Sequence, residues 1–205
     1  MRYDPKEHHR RSIRLHDYNY AQEGAYFVTI CTQGHLCLLG HVDDGVMHLS
    51  ALGEIVLGTW LALPDHYPHV ELDAFVVMPN HVHMIVVLVG AGLKPAPNPA
   101  EPSQPMERLE PPVRAGLKPA PTTDVHAIPK RHALSEIIRA FKTFTARQIN
   151  ECRGAPGASF WQRNYYEHII RNGKSLDLIR QYIETNPASW ALDDENPDRN
   201  SGPGG

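Results

Sequence analysis

Hydrophobic positions along the chain fall into blocks of different period, and each period predicts an element. Residues Ala25 to Thr32 are β-branched and aromatic, follow Gly24 and stop at Gln33-Gly34, which reads as a buried strand. Between Leu49 and Leu63 the apolar residues Leu52, Ile55, Val56, Trp60 and Leu63 recur at helical spacing until Pro64 ends the pattern. Val70 to Val77 and His81 to Val89 are two strand runs separated by Met78-Pro79-Asn80, a hairpin signal. Leu134, Ile137, Ile138, Phe141, Phe144 and Thr145 form one stripe, with Arg139, Lys142 and Arg147 elsewhere, so 134–149 predicts an amphipathic basic helix. Trp161 to Ile170 reads as extended. Ser175 is then the expected cap of a last helix carrying Leu176, Ile179, Tyr182 and Ile183, closed by Asn186-Pro187. The order β-α-β-β-α-β-α predicts an α+β fold, a ferredoxin-like antiparallel sheet with helices packed on it.

The periodicity is interrupted once. From Gly90 to Ile128 prolines crowd the chain, and Ala91-Gly-Leu-Lys-Pro-Ala-Pro97 recurs letter for letter as Ala115-Gly-Leu-Lys-Pro-Ala-Pro121. Two proline-rich copies are too few for a solenoid. The expected organisation is one catalytic domain from 1–89 and 129–195, a flexible Pro-rich insertion at 90–128, and a disordered tail at 196–205, whose Gly-Pro-Gly-Gly end carries nothing to pack.

A hydrophobic content of 41% in 205 residues suffices for one real core. No run approaches the roughly eighteen apolar residues of a membrane span, and the N-terminus lacks an apolar signal region, so a soluble, cytoplasmic protein is expected. Cys31, Cys37 and Cys152 are odd in number and show no Cys-x-x-Cys spacing, suggesting neither a disulfide framework nor a thiolate zinc site. The net charge of −3 argues against a nucleic-acid partner only on average. Between Ala127 and Tyr182 ten Lys/Arg face four Asp/Glu, and Arg10, Arg11 and Arg14 cluster near the start, so local positive surface is available.

Two features could carry chemistry. In His81-Val82-His83 the imidazoles stand two apart on a strand and so share a face, a geometry that suits one metal ion. Buried imidazoles need polar partners, which a divalent cation supplies. Tyr182 and Asn186 lie four apart on the last helix and share a face there, although a tyrosine at an apolar helix position is more commonly core.

Five blocks, 11–20, 24–32, 76–83, 160–168 and 179–187, occur in the order in which they follow one another in the REP-associated tyrosine transposases, and the chain resembles that family within the single-tyrosine HUH superfamily. The resemblance covers about 10–194 apart from the insertion. It implies that His81 and His83 are the metal-binding histidines, that Tyr182 in the Tyr-Ile-x-x-Asn-Pro block is the nucleophile, and that Asn186 occupies the third metal-ligand position. Tyr165 and Tyr166, in another block, are rivals for the nucleophile. The implied activity is cleavage and rejoining of single-stranded DNA through a 5′-phosphotyrosine with Mg²⁺ or Mn²⁺, on hairpin-forming repetitive palindromes, by a monomer or homodimer. Arg11, Arg14, Arg139, Lys142, Arg147, Arg163, Arg171 and Arg180 are candidates for backbone contact, and Trp161 or Tyr165 for base stacking, with core packing the competing role for Trp161. The competing readings are a His-metal hydrolase using activated water and a catalytically silent hairpin-binding module.

Overall fold

The computed structural model describes residues 20–90 and 132–199. Residues 91–131, with nearly all of the expected insertion, lie outside the described residues, as do Arg11, Arg14 and the tail beyond residue 199. Among the described residues no helix is long and apolar enough to cross a membrane.

In chain order the elements are β1 (Gly24–Cys31), β2 (Gly40–Asp43), β3 (Val46–Leu49), α1 (Ala51–Leu61), α2 (Leu63–His66), β4 (Val70–Val77), β5 (His81–Leu88), α3 (Leu134–Cys152), β6 (Tyr166–Ile170) and α4 (Gly173–Thr185). Short 3-10 helices follow β1 and α4, at Gln33–His35 and Pro187–Leu192. The main sheet runs β4-β5-β1-β6, with every neighbour antiparallel. With β2–β3 set aside, this is the strand order of a ferredoxin-like fold, as the pattern predicts. β1 and β5 are central and buried on both faces, so their sequences read as nearly unbroken apolar runs.

The two faces of the sheet have separate tasks. Tyr26, Val28, Ile30, Val82, Met84 and Val86 point into the main core, where Val56 and Trp60 of α1 and Ile137, Ile138 and Phe141 of α3 cover them. Phe27, Ile85 and Ile170 point the other way and meet Ile183 of α4, with Leu176 and Ile179 beside it. Because β5 alternates, Val82 feeds the main core while His81 and His83 emerge on the α4 face. Trp161 is 6% exposed and its indole Nε1 donates to Thr145 Oγ1 at 2.8 Å, so it is core and not a stacking platform.

Local chemistry moved several expected boundaries. Pro64 does not merely end a helix: α1 stops at Leu61 and the proline sits in the first turn of α2, where a missing N–H costs nothing. Ser175 is not the cap of α4. Asn172 is, accepting from the Ser175 N–H at 2.8 Å through Oδ1. The β2–β3 hairpin was not anticipated. It turns through Asp44-Gly45, both at positive φ (47° and 75°), the pairing that a two-residue turn favours. Gly53 is needed where α1 passes the preceding loop, since a Cβ there would fall 2.2 Å from the Leu39 carbonyl oxygen.

One ion pair fixes where α4 lies. A register shift between Leu72 and Phe75 breaks the β4 edge, and there Asp73 accepts a bidentate contact from Arg180 of α4, Nε to Oδ1 at 2.8 Å and Nη2 to Oδ2 at 2.6 Å. The guanidinium holds the Asp73 carboxyl below the usual carboxylate range against the opposing effect of its own burial. Breaking the pair with Arg180→Met or Asp73→Asn is expected to speed amide exchange throughout 173–185 while leaving β1 and β5 protected. Equal protection of α4 in wild type and variants would show that apolar packing alone seats the helix.

Candidate metal and tyrosine site

The two imidazoles of β5 converge through their outer nitrogens. His81 Nε2 and His83 Nε2 are 3.0 Å apart, and the side chains are almost completely buried, at 0% and 4% exposure. Their inner nitrogens are held from behind. Asn80 donates through Nδ2 to the His35 and Glu195 carbonyls at 3.2 and 2.6 Å, which turns its Oδ1 toward His81 Nδ1 at 2.9 Å. An amide oxygen can only accept, so His81 carries its proton on Nδ1 and leaves the Nε2 lone pair bare. Thr29 Oγ1, opposite His83 in the β1–β5 ladder, lies 2.8 Å from His83 Nδ1 and can accept in the same way. These are the partners that orient imidazoles toward a metal.

The last helix brings the phenol to the same point. Tyr182 Oη is 3.2 Å from His83 Nε2, and Phe27 packs against both rings, at centroid distances of 5.4 Å to His83 and 6.1 Å edge-on to Tyr182. Asn186, one turn on, is 2% exposed. Its Nδ2 donates to Asp193 Oδ2 at 3.2 Å, and its buried Oδ1 has no hydrogen-bond partner. A carboxylate oxygen of Asp193 groups with nitrogens of His81 and His83, all within 4.8 Å of one another.

Together these atoms fit a divalent cation. A proton shared between the two Nε2 atoms would satisfy the imidazoles alone, with the Thr29 hydroxyl then donating to His83. It would leave the Asn186 oxygen orphaned and the nearby Asp193 charge without a countercharge. A cation accounts for all four donors at once. Protonation of the ligands is no obstacle. Burial drives the His81 pKa down to about 4, with Asp193 opposing and His35 assisting, and drives His83 well below the ordinary value, with His81 adding to the effect. Both are neutral at pH 7, as ligands must be.

Around this point lies a cleft of about 520 Å³ lined by Phe27, Thr29, Tyr166, Tyr182, Asp193 and Glu195 among others. Tyr166 is paired with Thr29 across the β1–β6 ladder and shares the cleft, whereas Tyr165 lies against the main core. Of the three tyrosines, Tyr182 is the one hydrogen-bonded to a histidine of the pair.

The cations predicted to contact DNA are spread over several surfaces. Arg139, Lys142 and Arg163 line a groove of about 490 Å³ with Phe160 and Tyr165. Lys142 also donates to the Gln162, Arg163 and Asn164 carbonyls at 2.6, 3.1 and 3.4 Å, which braces the segment entering β6. Arg147 pairs with Glu151 on exposed surface, and Arg171 lines a different cleft with Tyr20, Tyr166 and His168. Arg180 is committed to Asp73 and Asp177. Sequence reasoning did not single out Asp193, Thr29 or Asn80. Asn80 alone had a usable signal, its position next to His81 at the mouth of the hairpin.

The depressed His81 value has a measurable consequence. Because the folded pKa lies below the unfolded value near 6.5, stability is complete above about pH 6.5 and is lost progressively as pH falls toward 4, by an amount on the order of 3 kcal/mol from this residue. Urea midpoints of the chelated protein should fall across that window, and the His81→Gln/His83→Gln double variant should flatten the profile. An unchanged slope in that variant would mean that these imidazoles are not what acid unfolds.

Comparison with known proteins bears on the same residues. The family model described as "Transposase IS200 like" matches residues 125–186, the stretch that carries α3, β6 and the Tyr182–Asn186 turn. An uncharacterized protein of Haemophilus influenzae is 38% identical over 195 residues, covering 94% of this chain and 96% of its own length. A solved REP-associated tyrosine transposase bound to a REP hairpin superposes with a TM-score of 0.51 at 18% identity, over 89% of this chain and 76% of that one. At that identity the likeness concerns the fold. Residues 125–186 are thus similar to the IS200-like transposases, and the chain shares its fold with the solved REP-associated tyrosine transposase.

Proposed function

We propose that this protein cuts and rejoins single-stranded DNA with Tyr182 as the nucleophile, beside a divalent cation held by the Nε2 atoms of His81 and His83. The observation that carries the reading is the meeting of three groups from distant parts of the chain: the paired imidazoles 3.0 Å apart and the phenol 3.2 Å from one of them. Asn186 Oδ1, unpartnered and buried, and the Asp193 carboxylate are the further donors. Imidazole suits Mn²⁺ better than Mg²⁺, while the carboxylate and amide oxygens suit either. Such a cation would neutralise charge developing on the phosphodiester, stabilise the leaving oxygen and favour the ionised phenol.

The side chains account for the rest of the chemistry. Tyr182 Oη attacks phosphorus, the bond from phosphorus to the 3′ oxygen breaks, and that oxygen leaves as a 3′-hydroxyl once protonated. The strand stays attached through a 5′-phosphotyrosine. Attack by a 3′-hydroxyl on that linkage restores the phenol and reseals DNA, so the bond energy is retained. Burial raises the Tyr182 pKa, and the Asp193 and Glu195 charges raise it further, against the Asn186 amide, which favours the phenolate. The phenol therefore stays protonated until positive charge arrives, which ties attack to loading of the site. Asp193, Asp194 and Glu195 also make the cleft acidic, so a phosphate backbone is repelled from it without a cation. Arg180, held by Asp73, acts in this scheme by placing the helix that carries Tyr182. Arg139, Arg163 and Arg171 remain the candidates for backbone contact. The REP hairpin bound by the structural neighbour favours hairpin-forming repetitive palindromes as the substrate class.

Incubation with hairpin-bearing single-stranded oligonucleotides and Mn²⁺, followed by denaturing electrophoresis, tests the assignment. Wild type and Tyr166→Phe should give a covalent protein–DNA species, and Tyr182→Phe none, although it still binds. Asn80→Ala, which frees the His81 ring, should cost about ten- to a hundredfold in Mn²⁺ affinity. An adduct that persists in Tyr182→Phe and disappears in Tyr166→Phe would transfer the role. Cutting without any adduct would favour water as the nucleophile.

A further inference from the structure

Beside the His81–His83 pair lies a second group of donors, of which only Glu195 also borders the tyrosine cleft. Cys31 ends β1 directly opposite His81 in the ladder. His35 follows in the short 3-10 segment with a left-handed backbone, φ 55°, and Glu195 arrives from beyond α4. One donor atom from each of the three lies within 4.8 Å of the other two. His35 Nδ1 is 2.8 Å from Glu195 Oε2.

We propose that Cys31, His35 and Glu195 form a second divalent-cation site, of the thiolate–imidazole–carboxylate kind that suits Zn²⁺, distinct from the tyrosine site and serving to fasten the 193–195 segment. Zinc takes sulfur at about 2.3 Å and nitrogen or oxygen at about 2.0–2.2 Å in a tetrahedron, which requires ligand atoms roughly 3.5 Å apart. One pair of donors is 2.8 Å apart and all three lie within 4.8 Å of one another, a separation that small side-chain shifts bring to that spacing. The charges match as well: one thiolate and one carboxylate balance a divalent ion, and the neutral imidazole adds none.

The Cys31 thiol carries its proton when no ion is bound, because burial drives its pKa up to about 12 and Glu195 and Asp193 raise it further against Lys142. On binding, the thiol proton is released. The His35 proton moves from Nδ1 to Nε2, where the Gln162 amide, now 2.7 Å away through its nitrogen, can turn to accept through its oxygen. His35 and Glu195 are 44% and 32% exposed, which leaves an entry path and a fourth position for water.

The supporting frame connects this group to its neighbour. Asn80, fully buried, donates to the carbonyls of both His35 and Glu195 while its oxygen orients His81. Asp193, two residues before Glu195, reaches the His81–His83 pair. A cation on Glu195 would therefore anchor the segment that delivers Asp193. Sequence spacing concealed the group because its third member comes from the far end of the chain.

Cobalt substitution of the full-length protein tests this, because a Co²⁺–thiolate bond gives a near-ultraviolet charge-transfer band that imidazole and carboxylate ligands do not. Titration with Co²⁺ should produce the band, and Zn²⁺ should abolish it by displacement. Cys31→Ser should lack it, while Cys37→Ser, Cys152→Ser and the His81→Ala/His83→Ala double variant should keep it. His35→Ala, a substitution at a half-exposed side chain, should weaken Co²⁺ binding at least about tenfold. Absence of the band in wild type, its survival in Cys31→Ser, or unchanged affinity in His35→Ala would overturn the proposal. Because the band is read in variants lacking His81 and His83, its loss is separable from any failure of the tyrosine site.

Discussion

The structure turns on two buried imidazoles whose outer nitrogens approach to 3.0 Å. Such a pair is unfavourable unless something positive lies between or before the rings, and the surroundings leave few ways to supply it. Asn80 fixes the His81 tautomer through a chain of amide hydrogen bonds, Thr29 stands behind His83, and Phe27 closes one side. The remaining approach is toward Tyr182, Asn186 and Asp193. Strand alternation places the histidines, and the antiparallel register to β1 provides the residues that hold them.

The helix that meets this pair is seated by different forces. Ile183, Leu176 and Ile179 give α4 an apolar underside on Phe27, Ile85 and Ile170, an interface that fixes its depth better than its rotation. The planar Arg180–Asp73 contact sets the rotation, because a bidentate guanidinium tolerates little twist. An arginine that reads as a DNA contact in sequence is thus paired with Asp73 and Asp177. Lys142 is similar, capping three carbonyls on the way into β6. Basic residues near a site serve the fold as readily as the ligand.

Much of the architecture was legible because period and burial agree. β4 and β5 are separated by the expected Met78-Pro79-Asn80 turn, and α3 carries Leu134, Ile137, Ile138, Phe141 and Thr145 of its predicted stripe inward, while Phe144, expected on that stripe, is half exposed. The shared faces of His81 with His83 and of Tyr182 with Asn186 were legible from strand and helix periodicity, whereas the meeting of the two pairs depends on long-range packing. What escaped was long-range or turn-specific. The β2–β3 hairpin rests on one Asp-Gly step whose short flanking strands carry little hydrophobic signal. Asp193 and Glu195 sit in an acidic stretch that resembles a solvated tail, and only the turn after Pro187 returns them to the sheet. No local pattern encodes that return.

The charge balance of the cleft follows from the same return. Two neutral rings, an amide, a phenol and several carboxylates form a negative basin that, in the proposed function, a divalent cation would convert into a place for a phosphodiester. The decisive measurement is anomalous diffraction from crystals grown with Mn²⁺, collected for wild type and Tyr182→Phe. The account predicts a manganese peak in both, within bonding distance of His81 Nε2 and His83 Nε2 and beside the ring at position 182. Manganese bound elsewhere, with the two nitrogens still facing each other unbridged, would contradict it.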